Sequence, residues 1–423
     1  MTEPTGDRRR RLRAPAVLRD EPQYRLLFTG QVLSIIGDRV TAIVLPFAVL
    51  SIGGHVGGVA IVSAAQFLPF AVLALPAGVW ADRLDRKKIL ITSDTVRFVC
   101  QLTAATLLLT GNATITYLVA IAAVYGAADA FFAPTFTGLL PGTVAPVNLQ
   151  PANALIGLSY STGSIAGPVL AAGLVAAAGP GGALLFDAAT FAVSVMCLVP
   201  LRPRTLREGQ GESAVDAPHE PFLRSLHDGW TEVRNRSWVL AFLGGMASYH
   251  MIVLPAIFVL GPVLMNNEYG GAKDWAIITA GFGIGSILGD ILLLHWRPRF
   301  ALRVAALMLM GASCQAAFIG SGLGVWAIAG LEVLGGVCVT ATFTLWETSL
   351  QEHVPGQVLS RVSSYDYLTS TGLIPLGNLL CGGAVVVIGL HQSLFTMSAL
   401  GITAALVVVA VPAVRHLPRA ATP

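Results

Sequence analysis

The stretch Gly78-Val79-Trp80-Ala81-Asp82-Arg83-Leu84-Asp85-Arg86-Lys87-Lys88-Ile89-Leu90 is a short, strongly basic turn between two long apolar runs. A connection this short joins neighbouring antiparallel elements. Both runs therefore cross the same apolar layer, and Arg83, Arg86, Lys87 and Lys88 face a single compartment.

Composition extends this reading to the whole chain. Of 423 residues, 54% are hydrophobic and only 12% charged, where a soluble domain carries about 25% charged residues. Lipid is the main solvent. The 45 Gly and 24 Pro fit membrane helices, in which small residues permit close contact and neighbouring helices satisfy backbone groups freed by Pro. No folded polar domain is available to offer nucleic acid a basic face. Cys100, Cys197, Cys314, Cys338 and Cys381 are isolated in apolar runs and read as packing residues, with no zinc-ligand or disulfide spacing. There is no nucleotide-binding Gly-rich loop and no His-Glu-x-x-His pattern, so neither enzymatic activity nor a cofactor or metal is expected.

Spans of about 20 residues cross a layer roughly 30 Å thick. The first half contains such spans at 26–51, 57–80, 89–110, 114–137, 151–176 and 181–200, and the second at 238–261, 272–294, 301–320, 323–346, 359–385 and 390–413. The implied fold is an all-α polytopic membrane protein of twelve transmembrane helices in two pseudo-symmetric six-helix halves. A basic arm occupies 1–25, the halves occupy 26–200 and 238–413, a linker runs from 201 to 237, and a tail covers 414–423. The arm precedes a span too long for a secretory signal, so that span is retained. With this count, every Lys and Arg except Arg39, Arg97 and Lys273 falls on one side, which predicts that both termini are cytoplasmic.

The linker is polar at its centre. From about Pro221 to Arg236 its pattern suits an amphipathic interfacial helix, acting as a tether or as a lever on the inner membrane face. Val144–Pro168 resembles Val354–Pro375, as expected of parallel repeated halves.

An ionised side chain at the centre of an inserted helix costs at least about 2.5 to 3.5 kcal/mol and is tolerated mainly in a polar cavity or a pair. Asp38, Arg39, Asp129, His250 and Glu332 all fall near mid-span, on four different helices. Two roles are open to them: packing anchors, or a water-accessible route in which Glu332 or Asp38 carries a proton and Arg39 or His250 balances it. Asp94 and Arg97, at i,i+3, share a helix face and read as a structural ion pair. Asp187 and Asp366 read as polar anchors. Gly163 and Gly167 share a small face, Pro168 weakens the helix ladder, and Gly173 follows, which together describe a close-packed, bendable fifth span.

The Gly78–Leu90 stretch resembles the loop signature of the major facilitator superfamily, with Trp80 and Asp85 where Leu and Gly are usual. Tyr24-Arg25-Leu26-Leu27-Phe28, Gly37-Asp38, Asp94-x-x-Arg97, Asp129-Ala130-Phe131-Phe132-Ala133-Pro134 and Pro151-Ala152-Asn153-Ala154 add to the likeness. Within that superfamily the chain is similar to bacterial macrolide, multidrug and siderophore exporters. The resemblance implies alternating access, with Gly78, Asp82, Arg83, Arg86 and Lys87 in a cytoplasmic gate where Arg83 or Arg86 bridges the opposing half. Lys87 and Lys88 can equally serve topology and contact anionic lipid. It also implies that Gly163, Gly167, Pro168 and Gly173 form an antiporter-like packing element, with Ala171 and Ala172 replacing the usual paired Gly. The expected activity is proton-driven export of an amphipathic drug or small metabolite by a monomer. A facilitator or importer, or a non-transporting receptor or scaffold, are the other readings.

Overall fold

The computed structural model of the protein describes residues 14–203, 230–354, 362, 365–366, 369–370 and 372–418. Among these residues the secondary structure is helical. The principal helices are α1 (Pro22–Ser51), α2 (Val56–Arg83), α3 (Arg86–Leu109), α4 (Ile115–Asp129), α5 and α6 (together Leu149–Leu198), α7 (Ser237–Glu268), α8 (Ala272–His295), α9 (Ala301–Ile319), α10 (Val325–His353), α11 (Ile374–Ile388) and α12 (Leu390–Ala410). Eight of the helical stretches are long and apolar enough to cross a membrane, and the 48-residue stretch Pro151–Leu198 provides two passes.

The turn that organises the sequence is built as a helix stop and restart. Helix α2 ends at Arg83, and the Asp85 side chain then caps α3 by accepting from the amides of Lys87, at 3.0 Å, and Lys88, at 3.4 Å. This explains the departure at Asp85: the residue begins the next helix. At the opposite, far face of the bundle, the tight connections turn on glycines at positive φ, namely Gly53, Gly111, Gly179, Gly271, Gly322 and Gly389. These fall between the two members of each successive helix pair, as twelve passes require.

One expected boundary is corrected. The first span starts at Pro22, not 26, and the described end of the arm folds into the short helix Ala14–Asp20. Glu21 is buried and accepts from the Ala145 amide at 2.8 Å and from Asn148 at 3.0 Å, while Tyr24 donates to the Ala152 carbonyl at 2.8 Å. The arm is therefore fastened to the loop before α5. Helix α5 continues through Pro168 with helical backbone, and the break at Gly179 is the turn that separates α5 from α6. Of the proposed linker helix, the structure describes a helical turn at 230–235, and most of the rest lies outside the described residues, as does most of 359–371.

Each half packs through small residues. On α8, Gly281 and Gly285 lie one turn apart; a Cβ at Gly281 would sit 2.5 Å from the Ala329 carbonyl oxygen, and one at Gly285 would collide with that of Val333. The α8 and α10 backbones are in direct contact there, a substitute for the hydrophobic drive that lipid does not supply. The halves meet through α2 with α11 and α5 with α8. Near the far face, a Cβ on Gly382 of α11 would lie 3.0 Å from the Ala60 Cβ of α2. The end of α7 also touches α1, so the bundle is shut on the side away from the basic turn.

Candidate transport site

Two cavities adjoin at Arg39 and Ala42 of α1. One, of about 240 Å³, lies between the halves and is lined by residues of α1, α5, α7, α8, α9 and α10, including His250 and Glu332. The other, of about 300 Å³, lies within the N-terminal half, toward the basic turn, and carries Gln31, Asp38, Asp129 and Tyr160. A larger apolar cleft of about 660 Å³ runs between α3 and α4 near Leu84 and Lys88 but touches none of the mid-span charges.

Arg97 is the electrostatic centre of the N-terminal half. Its side chain is 1% exposed and bonds Asp94 one helical turn away, and its guanidinium lies 4.4 Å from the Phe132 ring centroid and 4.5 Å from that of Phe191. It also reaches Asp129 at 3.1 Å and Asp38 at 3.8 Å. The Asp94–Arg97 pair therefore exists as the i,i+3 spacing indicates, but it is one edge of a larger network. Asp94 is wholly buried and takes a further bond from Ser194 at 2.6 Å, whereas the Asp38 and Asp129 side chains keep 39% and 37% exposure. One buried cation is thus shared between a sealed carboxylate and two that reach the cavity.

The neighbouring polar groups continue this network. Tyr125 donates to Asp38 at 2.6 Å. Asp187, fully buried, accepts from Thr41 and Gln101, each at 2.7 Å, and serves as the anchor expected of it. Gly37 allows that arrangement, since a Cβ there would collide with Asp187 Oδ1 and Thr190 Oγ1.

In the C-terminal half, Glu332 is 2% exposed and accepts from Gln315 at 2.8 Å, while Tyr249 donates to the other end of the Gln315 amide at 2.9 Å. Glu332 Oε1 has no hydrogen-bond partner. His250 lies 2.8 Å from the Met246 carbonyl through Nδ1, and its ring packs edge-on against Tyr249 and Phe343. The expectation that Arg39 or His250 balances the acids is corrected: Arg97 does so for Asp38 and Asp129, and Glu332 is met by an amide. Helix α7 has two wide, i→i+5 turns here, Tyr249–Val253 and Ala256–Leu260, flanking Pro255. In the same half, Trp346 donates to Asp366 at 3.0 Å, a polar anchor.

The gate residues fare unevenly. The side chains of Asp82 and Arg83 and the surroundings of Gly78 lie outside what the structure describes. Arg86 donates to the Gly138 carbonyl at 2.6 Å and Lys87 to that of Val199 at 2.7 Å, both within the N-terminal half, where cations meet carbonyls at helix ends. On α5, a Cβ at Gly163 would sit 3.3 Å from Ile35, and one at Gly167 would sit 2.5 Å from Arg39 Cβ, so the small face seats α1. Gly173 meets open space and is exposed, so it takes no part in that packing. Sequence reading missed Tyr125, Thr41, Gln101, Gln315 and Tyr249; Gln in a long apolar helix is the signal that points to such buried networks.

A model of the Major Facilitator Superfamily matches residues 27–377. The chain belongs to that superfamily. This superfamily member is 24% identical over 405 residues to the multidrug efflux pump Tap of Mycolicibacterium fortuitum, covering 92% of this chain and 95% of that protein. It is 27% identical over 386 residues to the enterobactin exporter EntS of Escherichia coli O127:H6, covering 87% and 86%. Among solved structures, the nucleoside transporter NupG superposes with a TM-score of 0.70 at 13% identity over 92% of this chain and 98% of that one. A bacterial homologue of the iron transporter ferroportin in an inward-facing state gives 0.71 at 15% identity, with the same coverages. The protein is a multi-pass membrane transporter of this superfamily, with the two six-helix halves characteristic of the fold.

Proposed function

We propose that this protein exports an amphipathic organic molecule in exchange for protons, by alternating access of its two halves around the paired cavities. The observation that carries the reading is the Arg97 network: a sealed cation shared by two carboxylates, Asp38 and Asp129, that reach the cavity. Protonating either acid releases its hold on Arg97 and changes the charge of the network. Such a switch couples proton binding to helix position within α1, α3 and α4. Glu332, which lines the inter-half cavity and accepts from Gln315 of α9, is the second proton carrier.

The names of the relatives support outward transport, and the aromatic lining suits an amphipathic cargo. The far-face closure fits a state open toward the basic turn, which we place in the bacterial cytoplasm with both termini. The linker and the lipid-facing Lys88 lie on that side. The working unit is a single chain.

Reconstitution in sealed vesicles tests this reading. With an imposed pH gradient, saturable accumulation of members of a panel of fluorescent amphipathic dyes is expected, and it falls when Asp38 or Asp129 is changed to Asn. Flux indifferent to the gradient would favour a facilitator. Saturable binding without flux would favour a receptor or scaffold.

A further inference from the structure

The cavities contain one cation that the polypeptide leaves unused. Arg39 is exposed, lines both cavities, and has no hydrogen bond or ion pair with the described residues. The close approach of Gly167 to its Cβ fixes where the side chain leaves α1. Its sequence neighbour Asp38 is already committed, with Oδ1 to Tyr125 and Oδ2 toward Arg97. Asp129 likewise turns to Arg97, and Glu332 to Gln315. Two other lining residues carry N–H donors without partners, the Gln31 amide and the Trp275 indole, each on a side chain 1% exposed. The unused groups named here are donors, set against one unused acceptor in the inter-half cavity, Glu332 Oε1, and that cavity is walled by Phe258, Phe282 and Phe343. A guanidinium left unpaired within the membrane thickness is costly, and its planar fork matches an oxyanion.

We propose that Arg39 anchors an anionic group of the substrate, so that the cargo class is aromatic organic acids. The carboxylate, or another planar oxyanion, sits on the Arg39 fork, and the aromatic body enters the cavity of about 240 Å³ between the halves. Glu332 Oε1, an unpartnered acceptor of a residue lining the same cavity, takes a hydroxyl or amide donor of the molecule. This narrows the transport reading given above and rests on it.

Calorimetric titration of the purified full chain in lipid nanodiscs tests the site through binding alone. Three probes share one body: 2-naphthoate, 2-naphthalenemethanol and 2-naphthylmethylammonium. Naphthoate is expected to bind saturably and about tenfold or more tighter than the alcohol, with the ammonium weakest. Arg39→Gln removes the preference for the acid, and Arg39→Lys retains part of it, since a point charge lacks the fork. Thermal unfolding confirms that each variant is folded. If Arg39→Gln does not fold, the Arg39→Lys titration decides. Preference for the ammonium or the alcohol, no saturable naphthoate binding, or unchanged naphthoate affinity in a folded Arg39 variant overturns the proposal. Gradient-driven movement of cationic dyes without naphthoate binding overturns the anion site and leaves transport standing. Naphthoate binding without flux of any probe does the reverse.

Discussion

Removing the Arg97 charge separates sealed partners from wet ones. Breaking a buried ion pair by deleting one member costs about 3–5 kcal/mol, because the remaining charge is stranded. Arg97 has three carboxylate partners, but they do not strand equally. Asp94 is fully buried and keeps only the Ser194 hydroxyl, whereas Asp38 and Asp129 retain cavity exposure and can hydrate. Arg97→Gln should therefore lose about 3 kcal/mol, nearly all of it through Asp94. Adding Asp94→Asn to that variant should restore at least about 1.5 kcal/mol, and adding Asp38→Asn less than about 0.5 kcal/mol. The assay is reversible unfolding of the three single and two double variants in mixed micelles, set out as two double-mutant cycles. Simple additivity for Asp94 and Arg97 would refute the sealed-pair account. So would a rescue by Asp38→Asn as large as that by Asp94→Asn.

Several further outcomes follow from the same geometry. Glu332→Gln keeps the partnership with Gln315 and should change stability by less than about 1 kcal/mol; proton-driven accumulation in vesicles should nonetheless fall severalfold, and undiminished accumulation removes Glu332 from coupling. Gly285→Val puts a branched side chain onto the Val333 carbonyl and should destabilise by about 2 kcal/mol or more, measured by thermal unfolding. Gly173→Ala meets open space and should change stability by no more than about 0.5 kcal/mol; a large loss would show packing absent from this structure. In a background with the native cysteines replaced, Ala60→Cys with Gly382→Cys should cross-link under mild oxidation and arrest flux while leaving ligand binding measurable, because the far-face contact must open in each cycle. Full flux in the cross-linked protein contradicts alternating access at that contact.

The candidate site was half legible beforehand. Asp38, Asp129, His250 and Glu332 stand out because any ionisable residue in a long apolar run demands an explanation. Their partners do not stand out. The i,i+3 spacing reveals Asp94 with Arg97, since both lie on one helix, but the bonds from Arg97 to Asp129 and Asp38 join helices whose mutual rotation no spacing rule supplies. For His250 the sequence leaves a packing role and a charge-balancing role open, and the structure gives it a backbone carbonyl and two aromatic neighbours, as packing requires. Gly173 looked like its neighbours Gly163 and Gly167 in sequence, yet it faces outward beyond the point where α1 is seated.

What the sequence determined by itself is the membrane fold: the length of each apolar run, the one-sided placement of Lys and Arg, and the turn at Gly78–Leu90. These are one-dimensional properties, because bilayer thickness is counted in residues along a helix and the charge bias is counted loop by loop. Only the tertiary structure decided that Arg97 is the hub, that Gln315 meets Glu332, and that Arg39 is left over. A side chain finds its partner through the rotation and spacing of packed helices, and those are set by small-residue contacts such as Gly285 on Val333 and Gly167 on Arg39, far apart in the chain.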